Sequence, residues 1–147
     1  MKPASNLPRA VHLLGEYGTV ESHSTAWETQ PVGAGGPNYL NACVDFRTRV
    51  QAAELKQSVI RPIEAILGRV RTEERFAPRP IDLDLLMFDD QPLNLAFWGQ
   101  AFVVVPLAEL CPLMIHPLEG GSLAEVAGRL RAGVWMVARP EVLARTG

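Results

Sequence analysis

The stretch Ile81-Asp-Leu-Asp-Leu-Leu-Met-Phe constrains the fold more than any other part of the chain. Its composition predicts a strand, stopped by Asp89-Asp90-Gln91-Pro92. Successive side chains of a strand point to opposite faces, so Leu83 and Leu85 are expected on a core. Asp82 and Asp84 then share the other side, with Cβ atoms about 7 Å apart. One element thus carries both a buried face and a pair of like-charged carboxylates.

The elements around it alternate between helical and extended periodicity. Leu7, Val11 and Leu14 fall at helical spacing, with Asn6 as expected cap, Pro8 in the first turn and Gly18 as terminator. Residues 19–28 read as a polar strand, 30–37 as a Gly/Pro loop, and Tyr39 to Arg47 as a second strand. Residues 51–67 predict a helix with Ala53, Leu55, Val59, Ile63 and Ile66 inward, although an interior Pro62 costs about 3 kcal/mol or forces a kink. Phe102-Val-Val-Val reads as a short buried strand. Ser122 and Glu125 form a capping box for a last helix, and Val134–Val137 add an edge strand. The sum is an α+β sandwich, expected as one domain over 1–147.

Composition excludes several classes. With 14 basic and 16 acidic residues the net charge is −2, which does not suit a general nucleic-acid or membrane-surface protein. No run reaches the roughly 18 apolar residues of a membrane span, and the start has no apolar signal core. Cys43 and Cys111 are too few and too far apart for a disulfide framework or a zinc site. His12, His23 and His116 have no ligand spacing. The expectation is a cytoplasmic enzyme of small molecules, binding neither nucleic acid nor membrane.

Three features can carry chemistry. The Asp82/Asp84 pair offers hard oxygen ligands of the kind magnesium prefers, although an isolated Asp-x-Asp is more often a solvated strand face. Arg69, Arg71, Arg75 and Arg79 crowd into eleven residues. Guanidinium forks match phosphate oxygens, yet a charge-rich loop alone is usually exposed surface. Tyr39 and Asn41, two apart on one strand after Trp27-Glu-Thr-Gln-Pro-Val-Gly, could offer a flat heteroaromatic ligand an aromatic face and an amide. Taken alone, they more often mark an ordinary strand start with Tyr39 packed on the core.

In order and near spacing, these features resemble the 6-hydroxymethyl-7,8-dihydropterin pyrophosphokinase family. The residues that carry the resemblance are Thr29-x-Pro31-Val32-Gly33 with Tyr39-Leu-Asn-Ala42, then Ile63-Glu64 with Gly68-Arg-Val-Arg71. Glu74-Arg-Phe-Ala-Pro-Arg-Pro-Ile-Asp-Leu-Asp-Leu-Leu86 follows, and Val105-Pro-Leu-Ala-Glu-Leu-Cys-Pro112 completes it. The likeness spans roughly residues 5–135 and is most specific between Gly68 and Leu86. It implies a ferredoxin-like α/β/α sandwich with a largely antiparallel sheet. It also implies pyrophosphate transfer from ATP to the pterin hydroxymethyl group, releasing AMP. By the same resemblance Asp82 and Asp84 would hold two magnesium ions, and Arg69, Arg71 and Arg79 would contact phosphates, with Arg69, Arg79 and the two aspartates as the catalytic set. Glu64 and Leu85 would lie at the nucleotide. Thr29, Val32, Tyr39, Asn41, Phe76 and Phe102 would line the pterin pocket, with Tyr39 and Phe102 sandwiching the ring.

Two departures stand beside the match. The family opens with an apolar strand followed by Gly-Ser-Asn-Leu-Gly, and Asn6 to Gly18 here fits the first helix instead, so the natural start is expected further upstream. The family also carries Pro-His and an Arg before its Phe-Val-Leu strand, where Leu95 to Phe102 here has neither and Gln100 stands near the arginine's place. Losing one cationic phosphate contact costs on the order of 3 kcal/mol, a hundredfold in rate. A non-catalytic relative that binds ATP, pterin or a protein partner is therefore the alternative expectation. An RNA-binding module using the arginine loop is opposed by the acidic balance and by the lack of a paired-aromatic sheet motif.

Overall fold

The computed structural model describes residues 3–30, 38–68 and 82–144. Its order begins with α1 (Pro3–Leu14), β1 (Thr19–His23), β2 (Ala26–Thr29), β3 (Tyr39–Asn41) and β4 (Val44–Arg47). A continuous helical stretch follows: α2 (Ala52–Leu55), a π turn (Lys56–Ile60) and α3 (Arg61–Ile66). Then come a small hairpin, β5 (Met87–Phe88) and β6 (Gln91–Pro92), a 3₁₀ turn (Leu95–Gly99), α4 (Ala101–Leu110), α5 (Leu123–Ala132) and β7 (Met136–Arg139). All strand pairings among the described residues are antiparallel, in ladders β1–β4, β3–β2–β7 and β5–β6.

Two expected strands are each split in two by one corner. Ser24 N–H donates to Cys43 carbonyl and Cys43 N–H donates to Ser24 Oγ, both at 2.8 Å. These bonds satisfy the backbone where the ladder breaks, so β1 and β2, and β3 and β4, diverge at that point. The strands still alternate faces. Ala26 meets Val11 of α1 and Leu143, whereas Trp27 and Cys43 meet α4 and α5. Helices therefore cover both faces, as the α/β/α expectation requires, over ladders that are interrupted rather than continuous.

Pro62 has a structural answer. Leu55, Val59, Ile63 and Leu67 are all buried, each four residues after the last. An α-helix turns about 100° per residue, so each four-residue step overshoots a full turn by about 40° and the row would wind off the core. The π turn takes up that excess, and the Arg61 N–H reaches back to the Lys56 carbonyl just before the proline. Ala53 and Ile66, expected inward, are exposed, and Leu67 takes the place of Ile66 in the core.

Other expectations are corrected. Helix α1 starts at Pro3, so Asn6 lies inside it, buried, rather than capping it, and Pro8 is interior. It ends at Leu14, and Gly18 serves the strands instead: a Cβ there would lie 2.2 Å from the Arg47 carbonyl oxygen. Phe102 to Val105 is helical, not extended; α4 buries Val103, Val104, Val105, Leu107 and Ala108. A short apolar run fits a strand or a buried helix equally, and here the packing of α4 on α5 decides. The capping box holds: Ser122 Oγ accepts the Glu125 N–H at 3.1 Å and α5 begins there.

Candidate active site

Residues 82–86 run outside any ladder, between α3 and the β5–β6 hairpin. The expected strand reaches only Met87–Phe88. Alternation survives nonetheless: Asp82 and Asp84 are exposed, while Leu83 and Leu85 pack against Leu55, Val59, Ile63 and Leu67. With no neighbouring strand among the described residues, the segment is held by bonds from elsewhere. Leu83 N–H donates to Glu64 Oε2 at 3.1 Å, and Asn94 Nδ2 donates to the Leu85 carbonyl at 2.6 Å. Leu93 N–H donates to the Leu86 carbonyl at 2.8 Å. The chain then reverses through Asp89 (φ 49°) and Asp90 (φ 65°), left-handed residues that suit the tight turn of a two-residue hairpin.

Asp82 and Asp84 thus present two carboxylates from one face of a segment anchored on the core. Among the described residues no cluster of three or more His, Cys, Asp or Glu side chains could close around a metal ion. A pair of hard carboxylates fits magnesium, which completes its shell with water and substrate phosphate oxygens.

The second group of predicted residues sits on the β2–β3 ladder. Thr29 is buried, and its Oγ1 accepts Asn41 Nδ2–H at 2.9 Å, so this bond sets the orientation of the amide. Tyr39 pairs with Thr29 across the ladder and is 54% exposed, leaving its ring available to stack. Phe102, in the first turn of α4, is half-buried. Helix α4 packs on both β2 and β3, which brings Phe102 and Tyr39 onto neighbouring elements. Gln100 caps α4 through its backbone carbonyl, which accepts from Val103 and Val104 N–H. Arg69, Arg71, Arg79, Phe76 and Val32 lie outside the described residues.

Sequence reading passed over the side chains that brace this ladder. Glu28 accepts from Asn38 Nδ2 and from Arg139 Nε, each at 2.7 Å. The Asn38 bond, foremost, and the Arg139 guanidinium hold its carboxyl below the ordinary range. Glu109 on α4 accepts the Thr25 N–H at 3.0 Å and Trp27 Nε1–H at 2.7 Å, and the Arg131 guanidinium lies 5.0 Å above the Trp27 ring. Alternation marks Glu28 as facing away from Thr29, but no local pattern points to a partner 111 residues away. The two thiols are not activated. Burial pushes Cys43 up to about 12 and raises Cys111, so neither is a thiolate nucleophile at neutral pH. His116 is buried and structural: its Nδ1 faces the Leu118 and Glu119 N–H groups, and its Nε2 the Trp98 carbonyl.

Comparison with known proteins covers the same part of the chain. The family model for 7,8-dihydro-6-hydroxymethylpterin-pyrophosphokinase (HPPK) matches residues 1–112. A 2-amino-4-hydroxy-6-hydroxymethyldihydropteridine pyrophosphokinase of Synechocystis sp. is 33% identical over 128 residues, covering 81% of this chain and 65% of that protein. The protein of the same description from Bacillus subtilis is 35% identical over 116 residues, 71% of this chain and 68% of its own. The folate synthesis bifunctional protein of Arabidopsis thaliana is 33% identical over 116 residues, 72% of this chain and 24% of its own. The chain thus spans about two thirds of the length of the two bacterial relatives. No described helix is long and apolar enough to cross a membrane.

Proposed function

The chain belongs to the 7,8-dihydro-6-hydroxymethylpterin-pyrophosphokinase family, and we propose that it transfers pyrophosphate from ATP to 6-hydroxymethyl-7,8-dihydropterin in the cytoplasm, a step of folate synthesis. The observation that carries this reading is the exposed Asp82/Asp84 pair on a core-anchored segment. It lies within the matched region.

In the proposed reaction the pterin hydroxymethyl oxygen attacks the β-phosphorus of ATP in line. The new O–Pβ bond forms as the bond from Pβ to the α–β bridging oxygen breaks, AMP leaves, and the hydroxyl proton passes to solvent. Asp82 and Asp84 would hold two magnesium ions, which supply positive charge to the polyphosphate when bound. Arg69, Arg71 and Arg79 would bind phosphate oxygens with their guanidinium forks. Glu64 and Leu85 would lie near the nucleotide. The pterin ring would stack between Tyr39 and Phe102, with Asn41, Thr29 and Val32 along its edge and Phe76 closing over it. No side chain need form a covalent intermediate; rate enhancement comes from positioning and charge neutralisation.

The test is AMP release from ATP, with and without the pterin and magnesium, for the natural sequence and for Asp82→Ala. Pterin- and magnesium-dependent AMP is expected, reduced at least about a hundredfold by the substitution. A folded protein that binds ATP or pterin and releases no AMP would instead be a non-catalytic relative. The observation that favours this second reading is Gln100 at the start of α4, near the place of the family's arginine.

A further inference from the structure

Glu64 is the one carboxylate that is buried among the described residues, only 5% exposed on α3. A carboxylate is costly to remove from water unless its oxygens accept strong hydrogen bonds. Its Oε2 accepts the Leu83 N–H at 3.1 Å. Leu83 is the residue between Asp82 and Asp84, and its amide lies in a segment that pairs in no ladder among the described residues. In a sheet that N–H would donate to a carbonyl of the next strand. Among the described residues, a side chain of the helix beneath takes that donor instead.

We infer that Glu64 is a positioning residue for the Asp82/Asp84 pair, acting through the Leu83 amide. The inference rests on the proposed magnesium role of those aspartates. The geometry gives a direct route. The face a side chain takes depends on the backbone rotation at its own residue and the next. Leu83 is anchored twice, by its side chain in the α3 cluster and by its N–H on Glu64. Rotation about Leu83 would swing Asp82 and Asp84 off their shared side. Glu64 therefore influences the nucleotide by fixing the metal ligands, without itself touching ATP.

Two readouts test this, the first independent of ligand. Amide hydrogen exchange at Leu83 is followed in the ligand-free protein. Binding of α,β-methylene-ATP is then titrated against magnesium. Glu64→Gln keeps an acceptor oxygen at the same reach and removes the charge. Glu64→Leu removes the acceptor, and Glu64→Asp keeps the charge but shortens the reach by one methylene. Glu64→Leu and Glu64→Asp should speed Leu83 exchange by about tenfold or more, whereas Glu64→Gln should stay within about threefold of the natural protein. The magnesium midpoint should rise about tenfold in the same two variants and little in Glu64→Gln, with metal-free nucleotide affinity unchanged. If Glu64→Leu does not fold by circular dichroism, Glu64→Asp carries the contrast. Unchanged Leu83 exchange in Glu64→Asp overturns the inference. So does a Glu64→Gln protein with intact Leu83 protection and a magnesium midpoint shifted as far as that of Glu64→Asp, since Glu64 would then act by its charge. A natural protein that binds the analogue with no magnesium dependence would overturn the magnesium reading itself, while Leu83 exchange would still decide what the hydrogen bond does.

Discussion

The Thr29–Asn41 hairpin and the Asp82–Leu86 segment hold their polar side chains by different physical means. In the hairpin, β2 is central: Thr29 pairs with Tyr39 on one side and Met136 on the other. Its side-chain directions are set by backbone bonds on both edges, and Thr29–Asn41 adds a local adjustment. The acidic segment has no such ladder among the described residues. Its directions depend on two leucines seated against α3, one Glu64 bond and two bonds from residues 93 and 94. A ladder spreads its constraint over many backbone bonds and tolerates loss of a side chain. A segment held by side chains concentrates the constraint in a few residues, so a distant core substitution can reach it.

The sharpest way to break this comparison is Ile63→Ala. Ile63 is fully buried in the cluster against which Leu83 and Leu85 pack, and its truncation should cost about 2–5 kcal/mol in urea unfolding. Magnesium-dependent AMP release should fall further than pterin affinity. Equal losses in both would mean that the two regions respond as one.

Thr29→Val comes next. It removes one hydrogen bond from a site the ladder already fixes, so the expected stability loss is about 1 kcal/mol, with Tyr39 and Asn41 amide exchange unchanged. Pterin affinity, read by fluorescence titration, should drop about fivefold because the Asn41 amide loses its orienting partner. A destabilisation as large as that of Ile63→Ala would show the hairpin to be held by side chains as well.

The smallest effect at neutral pH concerns Cys43, beside the corner that interrupts the hairpin. Burial keeps its thiol protonated up to about pH 12, while the unfolded thiol ionises near its ordinary value. The unfolded chain therefore loses this proton first on raising the pH. Stability is unaffected below about pH 8.5 and declines from there toward pH 12, by at most about 1.4 kcal/mol per unit from this group. Cys43→Ala should flatten that decline. Iodoacetamide should modify Cys111 before Cys43; the reverse order would show that the corner opens readily.

Much of the candidate site was legible because its signals are local. Alternation alone put Asp82 and Asp84 on one side and Leu83 and Leu85 on the other, and the burial pattern agrees although the strand does not extend that far. Thr29 and Asn41 were both marked, yet the bond between them depends on the register of two strands. The resemblance puts Glu64 near the nucleotide, but its bond to Leu83 spans 19 residues and has no sequence signature. Glu28 with Arg139, and Glu109 with Trp27, were invisible for the same reason.

What the sequence by itself determined, then, is whatever depends on neighbours within a turn or a pleat: the Ser122 cap of α5, the alternation at residues 82–85, and the family resemblance across residues 68–86. Only tertiary structure decided that Phe102 to Val105 would be helical, that a π turn would carry Leu55, Val59, Ile63 and Leu67 to one face, and that Glu64 would accept the Leu83 N–H. The physical reason is common to all three. Backbone geometry follows from local sterics, whereas the choice between two locally acceptable conformations goes to the one that buries its apolar side chains and satisfies its polar groups against distant partners.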